Sequence, residues 1–94
     1  MTTPEYCLTG KIVLITGSSR GIGRVLAQSF LEAGAAVMLV ARDSRRLSET
    51  LQALGGANDR LQAFSCDVSK PDQVKQLMQV TIEHWKRVDV LINN

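Results

Sequence analysis

A glycine-rich turn between a buried strand and an amphipathic helix constrains this chain more than any other feature. The run Lys11–Thr16 is apolar at its centre and rich in β-branched residues, which is typical of a strand covered on both faces. Gly17, Gly21 and Gly23 follow, and glycine lets the backbone turn sharply and lets a ligand approach closely. A helix that begins here directs free N–H groups and its positive dipole end at the turn. The stretch therefore predicts an anion site, with phosphate as the usual occupant.

The apolar spacing changes from that of a strand to that of a helix after Gly21. The helix is predicted to run to about Ala33, with Gly34 as its stop. Its predicted apolar face consists of Ile22, Val25, Leu26, Phe30 and Ala33.

The rest of the chain repeats this alternation of strand and helix. Strands are predicted at Ala36–Ala41, Leu61–Cys66 and Val88–Ile92. Asp43 or Ser44 can cap the second helix. Ser69 with Asp72 resembles a capping box for the third helix, where Pro71 marks the start. The predicted apolar face of that third helix consists of Val74, Leu77, Met78, Thr81, Ile82 and Trp85. Alternating strands and helices predict βαβ units and a parallel sheet.

Length and charge exclude several classes of protein. The 94 residues suffice for one small domain, with residues 1–9 predicted as a tail and residues 10–94 as the domain. A net charge of +2 is too small to favour nucleic acid or an anionic membrane as a partner. No apolar run is long enough to span a bilayer, so a cytoplasmic location is expected.

The fourth strand is apolar throughout, which is typical of a strand that is covered on both faces and has a neighbouring strand at each edge. The sequence therefore looks cut in mid-fold.

The side chains that could carry metal or redox chemistry are few. Cys7 and Cys66 are far apart and form no C-x-x-C pair, so free thiols are favoured over a disulfide or a metal site. His84 has no partner at metal-ligand spacing and is predicted to lie on the surface near a helix end. Trp85 is predicted to pack in the core, as are Met38 and Met78.

The motifs that follow successive strands resemble those of the short-chain dehydrogenase/reductase family. The turn reads T-G-x-x-x-G-x-G from Thr16 to Gly23. Ala41 and Arg42 follow the second strand, Asp67 and Val68 the third, and Asn93 and Asn94 the fourth, like the start of that family's N-N-A-G. The resemblance covers nearly the whole chain from Lys11. It implies an α/β fold, a Rossmann-type doubly wound parallel sheet truncated after the fourth strand.

The resemblance also implies a nicotinamide dinucleotide cofactor and the residues that bind it. The glycines form the turn beneath the diphosphate, Asp67 meets the adenine amino group, and Asn94 contacts a ribose. Thr16 and Asn93 brace the loop. The implied cofactor-binding residues are Gly17, Ser18, Ser19, Arg20, Gly21, Ile22, Gly23, Arg42, Asp67, Val68 and Asn94.

The residues after the second strand bear on the choice of cofactor. NAD enzymes place a carboxylate there for the ribose hydroxyls, whereas this chain has Ala41. Arg42 comes next and Arg20 lies in the facing loop, so two guanidinium groups could hold a 2′-phosphate. NADP(H) is therefore predicted over NAD(H). Asp43 would favour the diol if it turned inward, but it is predicted to cap the second helix. The alternative is that both arginines are solvated surface residues.

The family's catalytic residues are not found in this sequence. The family uses a Tyr-x-x-x-Lys pair and a serine, all after the fourth strand, whereas Tyr6 is the one tyrosine here and Gly10 stands four residues after it. The resemblance implies an oxidoreductase for carbonyl or alcohol substrates, homo-oligomeric in its full-length parent, with this chain alone inactive. A non-catalytic nucleotide-binding or partner-binding short isoform is the alternative. Ala41 argues against a Rossmann-like methyltransferase.

Overall fold

The computed structural model describes residues 7–19 and 21–94, and strands and helices alternate along them. The elements are β1 (Ile12–Thr16), α1 (Gly21–Glu32), β2 (Ala36–Ala41), α2 (Ser44–Ala53), β3 (Leu61–Ser65), α3 (Pro71–Trp85) and β4 (Val90–Ile92). The predicted order is confirmed, and β3 and β4 are shorter than predicted. None of the described helices is long and apolar enough to cross a membrane.

The strands form one parallel sheet in the order β3-β2-β1-β4. Leu14 of β1 lies opposite Met38 of β2 on one side and Leu91 of β4 on the other. The chain therefore adds strands outward from β1 in one direction and then returns to place β4 on its other side. This arrangement confirms the predicted Rossmann-type α/β fold.

Alternate residues of the central strands supply two separate hydrophobic cores. Val13, Ile15, Val37 and Leu39 face α1 and α2. On the opposite face Leu14, Met38, Val40 and Cys66 pack with Leu77 of α3, and Trp85 and Val88 are partly buried against them. Both faces of β1 and β2 are covered, which explains why their sequences are continuously apolar.

The helices bury narrower faces than their apolar periodicity predicts. Ile22 and Val25 of α1 are 69% and 65% exposed, because this helix approaches the sheet through Gly23 and Ala27.

The same correction applies to α3. Leu77 and Thr81 are buried there, whereas Met78 and Ile82 are 38% and 41% exposed. The prediction that Met78 fills the core is therefore wrong, while Met38 is buried as predicted.

The helix starts agree with the sequence in one case and differ in the other. Asp43 caps α2 as predicted, and its Oδ1 accepts from the N–H groups of Arg45 and Arg46 at 3.1 Å each. The predicted capping box of α3 is wrong, because Ser69 donates its hydroxyl to Asp67 at 2.7 Å and leaves Lys70 at the N-cap.

The described end of the predicted tail is docked on the domain. The Leu8 N–H donates to the Ala33 carbonyl at 2.8 Å, and the Leu8 side chain packs against the core that faces α1. Tyr6 lies outside the described residues.

Candidate functional site

A cleft of about 420 Å³ lies at the carboxyl edge of the sheet, beside the point where the strand order reverses. Open α/β sheets bind ligands at this position because the loops that leave neighbouring strands diverge there. Its walls come from the ends of β1 and β2, from the residues that follow β3 and β4, and from the start of α2. The lining residues are Thr16, Gly17, Ser19, Val40, Ala41, Arg42, Asp43, Arg46, Cys66, Val68, Asn93 and Asn94.

The glycine-rich loop is attached to β2 through Ser18. This serine is fully buried, and its Oγ accepts from the Val40 N–H at 2.9 Å. The Ser18 N–H in turn donates to the Val40 carbonyl at 3.2 Å. Ser18 was predicted as a cofactor contact, and the structure places its side chain behind the loop, where it anchors the backbone.

Close approach between backbone segments requires glycine at two positions of this loop. Gly17 has φ +65°, and a Cβ there would lie 3.0 Å from the Asn94 carbonyl oxygen. A Cβ on Gly23 would lie 2.5 Å from the Gly17 carbonyl oxygen. The loop can therefore lie flat against both α1 and the end of β4 only without these side chains.

A short hydrogen-bonded chain joins the ends of β1 and β4. The Thr16 hydroxyl donates to Asn93 Oδ1 at 3.2 Å and accepts from the Asn94 N–H at 3.1 Å. Asn94 Nδ2 donates to the Gly17 carbonyl at 3.2 Å. Thr16 and Asn93 thus hold the bracing positions that the resemblance implies, and Asn94 lies against the loop.

Two guanidinium groups and one carboxylate line the wall of the cleft that α2 forms. Ser65 donates its hydroxyl to the Arg42 carbonyl at 3.0 Å, which fixes the Arg42 backbone and leaves its side chain exposed. Asp43 remains at the helix cap, and Arg46 Nε lies 3.7 Å from its Oδ2.

Arg46 was missed in the sequence, although a signal was present. A cap at Asp43 puts residue 46 in the first turn of the helix, at the edge where β2 ends. Arg20, the second predicted guanidinium, lies outside the described residues.

The residues after β3 form the opposite wall. Asp67 Oδ1 accepts from the Ser69 hydroxyl and from the Ser69 N–H, and these bonds lower the pKa of the Asp67 carboxyl below its usual value, with a smaller contribution from Arg42. Burial raises the pKa of the Cys66 thiol, and the neighbouring Asp67 charge adds to this effect. The wall therefore consists of the buried Cys66 thiol and the exposed Val68 side chain, and the Asp67 carboxylate lies beside it, bonded to Ser69.

The structure brings together only part of the predicted set of residues. Gly17, Ser19, Arg42, Val68 and Asn94 line the cleft. The other described members flank it: Ser18 lies behind the loop, Gly21 and Ile22 open α1, Gly23 packs beneath the Gly17 carbonyl, and Asp67 turns to Ser69.

The other chemistry-bearing residues stand apart from the cleft or make no cluster. Residues 7–19 and 21–94 hold no group of three or more His, Cys, Asp or Glu side chains placed to bind a metal ion. Cys7 is exposed and Cys66 buried, and both are free thiols. His84 is exposed in the last turn of α3, as predicted.

Comparison with known proteins gives consistent matches along the chain. A family profile described as short chain dehydrogenase matches residues 11–94. The rhamnolipids biosynthesis 3-oxoacyl-[acyl-carrier-protein] reductase of Pseudomonas aeruginosa is 42% identical over 91 residues, which are 97% of this chain and 35% of that protein. The chain thus spans about a third of the length of this curated relative.

Solved structures agree in both fold and sequence. The Pseudomonas aeruginosa RhlG/NADP active-site complex superposes with a TM-score of 0.85 at 40% identity, covering 99% of this chain and 37% of that one. A 3-ketoacyl-(acyl-carrier-protein) reductase of Brucella melitensis, complexed with NADH, gives a TM-score of 0.81 at 32% identity, covering 89% of this chain and 33% of that one.

Proposed function

Because this chain belongs to the short-chain dehydrogenase family, we propose that it provides the cofactor-binding part of an NADP(H)-dependent oxidoreductase. The observation that carries the proposal is the convergence of Gly17, Arg42 and Arg46 on one cleft at the carboxyl edge of the sheet. A glycine-rich loop at the start of a helix suits a diphosphate, and guanidinium groups suit a further phosphate.

The residues of the cleft fit the parts of a dinucleotide. Gly17 and Ser19 would lie beneath the diphosphate, with Gly21, Ile22 and Gly23 presenting the first turn of α1. Val68 would pack against the adenine, and the ionised Asp67 would accept from its amino group. Asn94 would contact a ribose. When bound, NADP(H) supplies or accepts the hydride.

The choice of NADP(H) over NAD(H) depends on the charges beside β2. Arg42 and Arg46 both line the cleft, and Arg20 is proposed from the sequence as a further contact to the 2′-phosphate. Asp43 caps α2 with one carboxylate oxygen and pairs with Arg46 through the other. Because both oxygens already have partners, Asp43 is less available to accept hydrogen bonds from the ribose hydroxyls. One related structure holds NADP and another NADH, so the argument depends on this chain's own residues.

The catalytic step is proposed for a longer protein that includes this sequence. By resemblance it would use a Tyr-x-x-x-Lys pair and a serine, acting on a carbonyl or alcohol substrate in a homo-oligomer. The chain given is expected to bind the dinucleotide weakly and to show no turnover. Its expected location is the cytoplasm.

A second candidate is a non-catalytic nucleotide-binding module. It depends on the cleft alone, which suits a nucleotide independently of any catalytic residue. A product that ends at Asn94, binds NADPH and lacks turnover with every carbonyl substrate would support this candidate. A longer product with turnover would support the oxidoreductase.

The experiment that tests the proposed function compares Arg42, which precedes α2, with Arg45, which lies in the first turn of α2. Arg42→Ala should weaken NADPH binding by about fivefold or more, because it removes charge-assisted bonds to the 2′-phosphate. NADH binding should change by less than about twofold, since NADH lacks that phosphate. Dissociation constants from isothermal titration calorimetry give both values.

Arg45→Ala is the matched control, because the Arg45 side chain is 90% exposed, pairs with Glu49 and does not line the cleft. It should leave both affinities unchanged. Equal losses of NADPH and NADH binding in Arg42→Ala would refute the assignment of the 2′-phosphate site. A bound structure with the diphosphate away from residues 17–23 would refute the site as a whole.

A further inference from the structure

Thr50 of α2 makes a hydrogen bond that leaves its own helix. The side chain is buried, at 2% exposure, and its Oγ1 donates to the Ser19 carbonyl oxygen at 2.8 Å, across 31 residues of sequence. A threonine inside a helix commonly donates to the carbonyl four residues earlier. Thr81 of α3 does this, with its Oγ1 2.8 Å from the Leu77 carbonyl. Thr50 instead ties α2 to the glycine-rich loop.

This bond complements the attachment of the loop to β2. Ser18 is held by Val40, and the next residue, Ser19, is held by Thr50. A loop rich in glycine has few side chains to fix it and loses much conformational freedom when it binds a ligand. Two hydrogen-bonded anchors on successive residues hold the backbone before any ligand arrives, which lowers that cost.

The hydroxyl also changes the charge that the loop presents. The Ser19 carbonyl carries a partial negative charge and Ser19 lines the cleft, so a phosphate nearby would be repelled. A buried donor on that oxygen directs it toward α2 and offsets part of its charge. The same bond therefore orients the loop and makes it more favourable to an anion.

We propose that Thr50 is a positioning residue for the diphosphate subsite, acting through the Ser19 carbonyl of the glycine-rich loop. The proposal rests on the proposed function, because it assumes that the dinucleotide's diphosphate lies over this loop. It adds a residue of α2 that does not itself line the cleft. It also makes α2 act on the cleft in two ways, directly through Arg46 in its first turn and through the Ser19 carbonyl by Thr50 in its second turn.

The test uses Thr50→Val, which keeps the shape of the side chain and removes the donor. NADPH affinity should fall about fivefold to tenfold, the range expected when a buried carbonyl loses its partner. Binding of adenosine 2′-monophosphate, which has no bridging diphosphate, should stay within about twofold. Thr50→Ser restores the donor and should return NADPH affinity to within about twofold of the parent.

Thr81→Val is the matched control, since it removes an equally buried hydroxyl bond from the helix on the other face of the sheet. It should leave both affinities unchanged. If Thr50→Val weakens NADPH and adenosine 2′-monophosphate alike, or no more than Thr81→Val does, the positioning role is refuted. Thr50→Ala gives the same comparison if the valine variant does not fold.

A measurement without ligand separates this proposal from the proposed function. The Ser18 N–H donates to Val40, so its hydrogen exchange reports how firmly the loop is held. Thr50→Val should speed that exchange about fivefold or more, and Thr81→Val should not. Unchanged exchange with intact NADPH binding in the parent would refute the role of Thr50 alone. If exchange is faster in Thr50→Val but the parent chain binds no NADPH, the proposed function and the diphosphate role are refuted together.

Discussion

Gly23 shows how one absent side chain sets the position of the whole loop. Its backbone is helical, so the requirement for glycine there comes from space and not from φ. A Cβ would lie 2.5 Å from the Gly17 carbonyl oxygen and 2.9 Å from the Ser18 Cα, and both are backbone atoms. Because backbone held at both ends cannot yield cheaply, any larger residue would displace the loop from α1.

Gly23→Ala is therefore expected to reduce both stability and dinucleotide affinity. Overpacking of this kind costs about 1–3 kcal/mol, and the displaced loop would lose most NADPH binding. Gly55→Ala is the control. Gly55 follows α2 and has φ +113°, with open space around its Cβ position. The alanine there strains the backbone conformation but contacts no neighbouring atom. Urea unfolding and titration calorimetry of both variants make the comparison. A Gly23→Ala protein that binds NADPH like the parent would contradict the packing argument.

For single residues, the sequence predicted which residue types stand at the site better than it predicted the hydrogen-bond partners of their side chains. The glycines, Arg42 and the cap at Asp43 follow from residue types at fixed spacing. Ser18 and Ser19 are adjacent and identical, and nothing in their order indicates that Ser18 turns inward to Val40. Thr50 carries no local signal either, since its partner is 31 residues away.

The elements β1 and β4 are joined at their amino ends by Asp89. Its Oδ2 accepts from the Ile12 N–H at 2.8 Å and from Arg87 Nε at 2.9 Å, and its own N–H donates to the Ile12 carbonyl at 2.9 Å. The bond from Ile12, with a smaller effect of Arg87, lowers the pKa of the Asp89 carboxyl. The ionised form of this side chain therefore holds the register of a strand only three residues long.

This lowered pKa gives the stability of the chain an acid dependence. A carboxyl whose folded pKa lies below its unfolded value stabilises the fold above the unfolded pKa, about 4 for aspartate. The contribution is lost as the pH falls from there through the lowered folded value. Asp89→Asn should remove this dependence and lower stability at pH 7. Asp59→Asn is the control, because Asp59 uses its backbone carbonyl, which accepts from Trp85 Nε1.

Thermal unfolding followed by circular dichroism between pH 2.5 and 7 measures the effect. The difference in unfolding temperature between parent and Asp89→Asn should be largest near neutral pH and should narrow below pH 4. A difference that stays constant across this range would contradict the role of the ionised carboxylate.

Element types follow from the sequence more readily than the faces that elements bury. Short apolar runs that alternate with segments of helical apolar spacing predict every described strand and helix. The apolar stripes of α1 and α3 also include Val25 and Ile82, which are exposed. Periodicity marks residues able to face a core, whereas the closeness of Gly23 and Ala27 to the sheet decides how narrow the covered strip of α1 is.

In the molecule as a whole, the described sheet is covered unevenly at its β4 side. Leu91 is 63% exposed, although it lies in register with the fully packed Leu14 of β1. Val80 and Ile82 add partly exposed apolar surface on α3. A strand edge with apolar side chains is a template for pairing with another chain.

Leu91→Lys is expected to reduce self-association of the 94-residue chain. A lysine on the strand would repel a second copy across the edge, and light scattering at equal concentration should fall by about twofold or more. Val80→Lys adds the same charge on α3, away from the strand, and should have a smaller effect. Equal scattering by the parent and Leu91→Lys would show that association does not use this edge.

The strand order is the part of the whole fold that patterns in the sequence leave open. Parallel pairing follows from βαβ connections, but β4 could equally have extended the sheet beyond β3. Its place beside β1 depends on packing of Trp85 and Val88 against Leu14 and Met38, contacts between distant segments. Only the resemblance to a known family implied that order in advance.

The position of Trp85 makes its fluorescence sensitive to the packing of α3 on the sheet. It is the only tryptophan, its ring packs against the core that faces α3, and its Nε1 donates to the Asp59 carbonyl at 2.8 Å. Indole emission shifts to the red when water reaches the ring. Fluorescence from this one residue therefore registers the lifting of α3 from the sheet, separately from events on the face covered by α1 and α2.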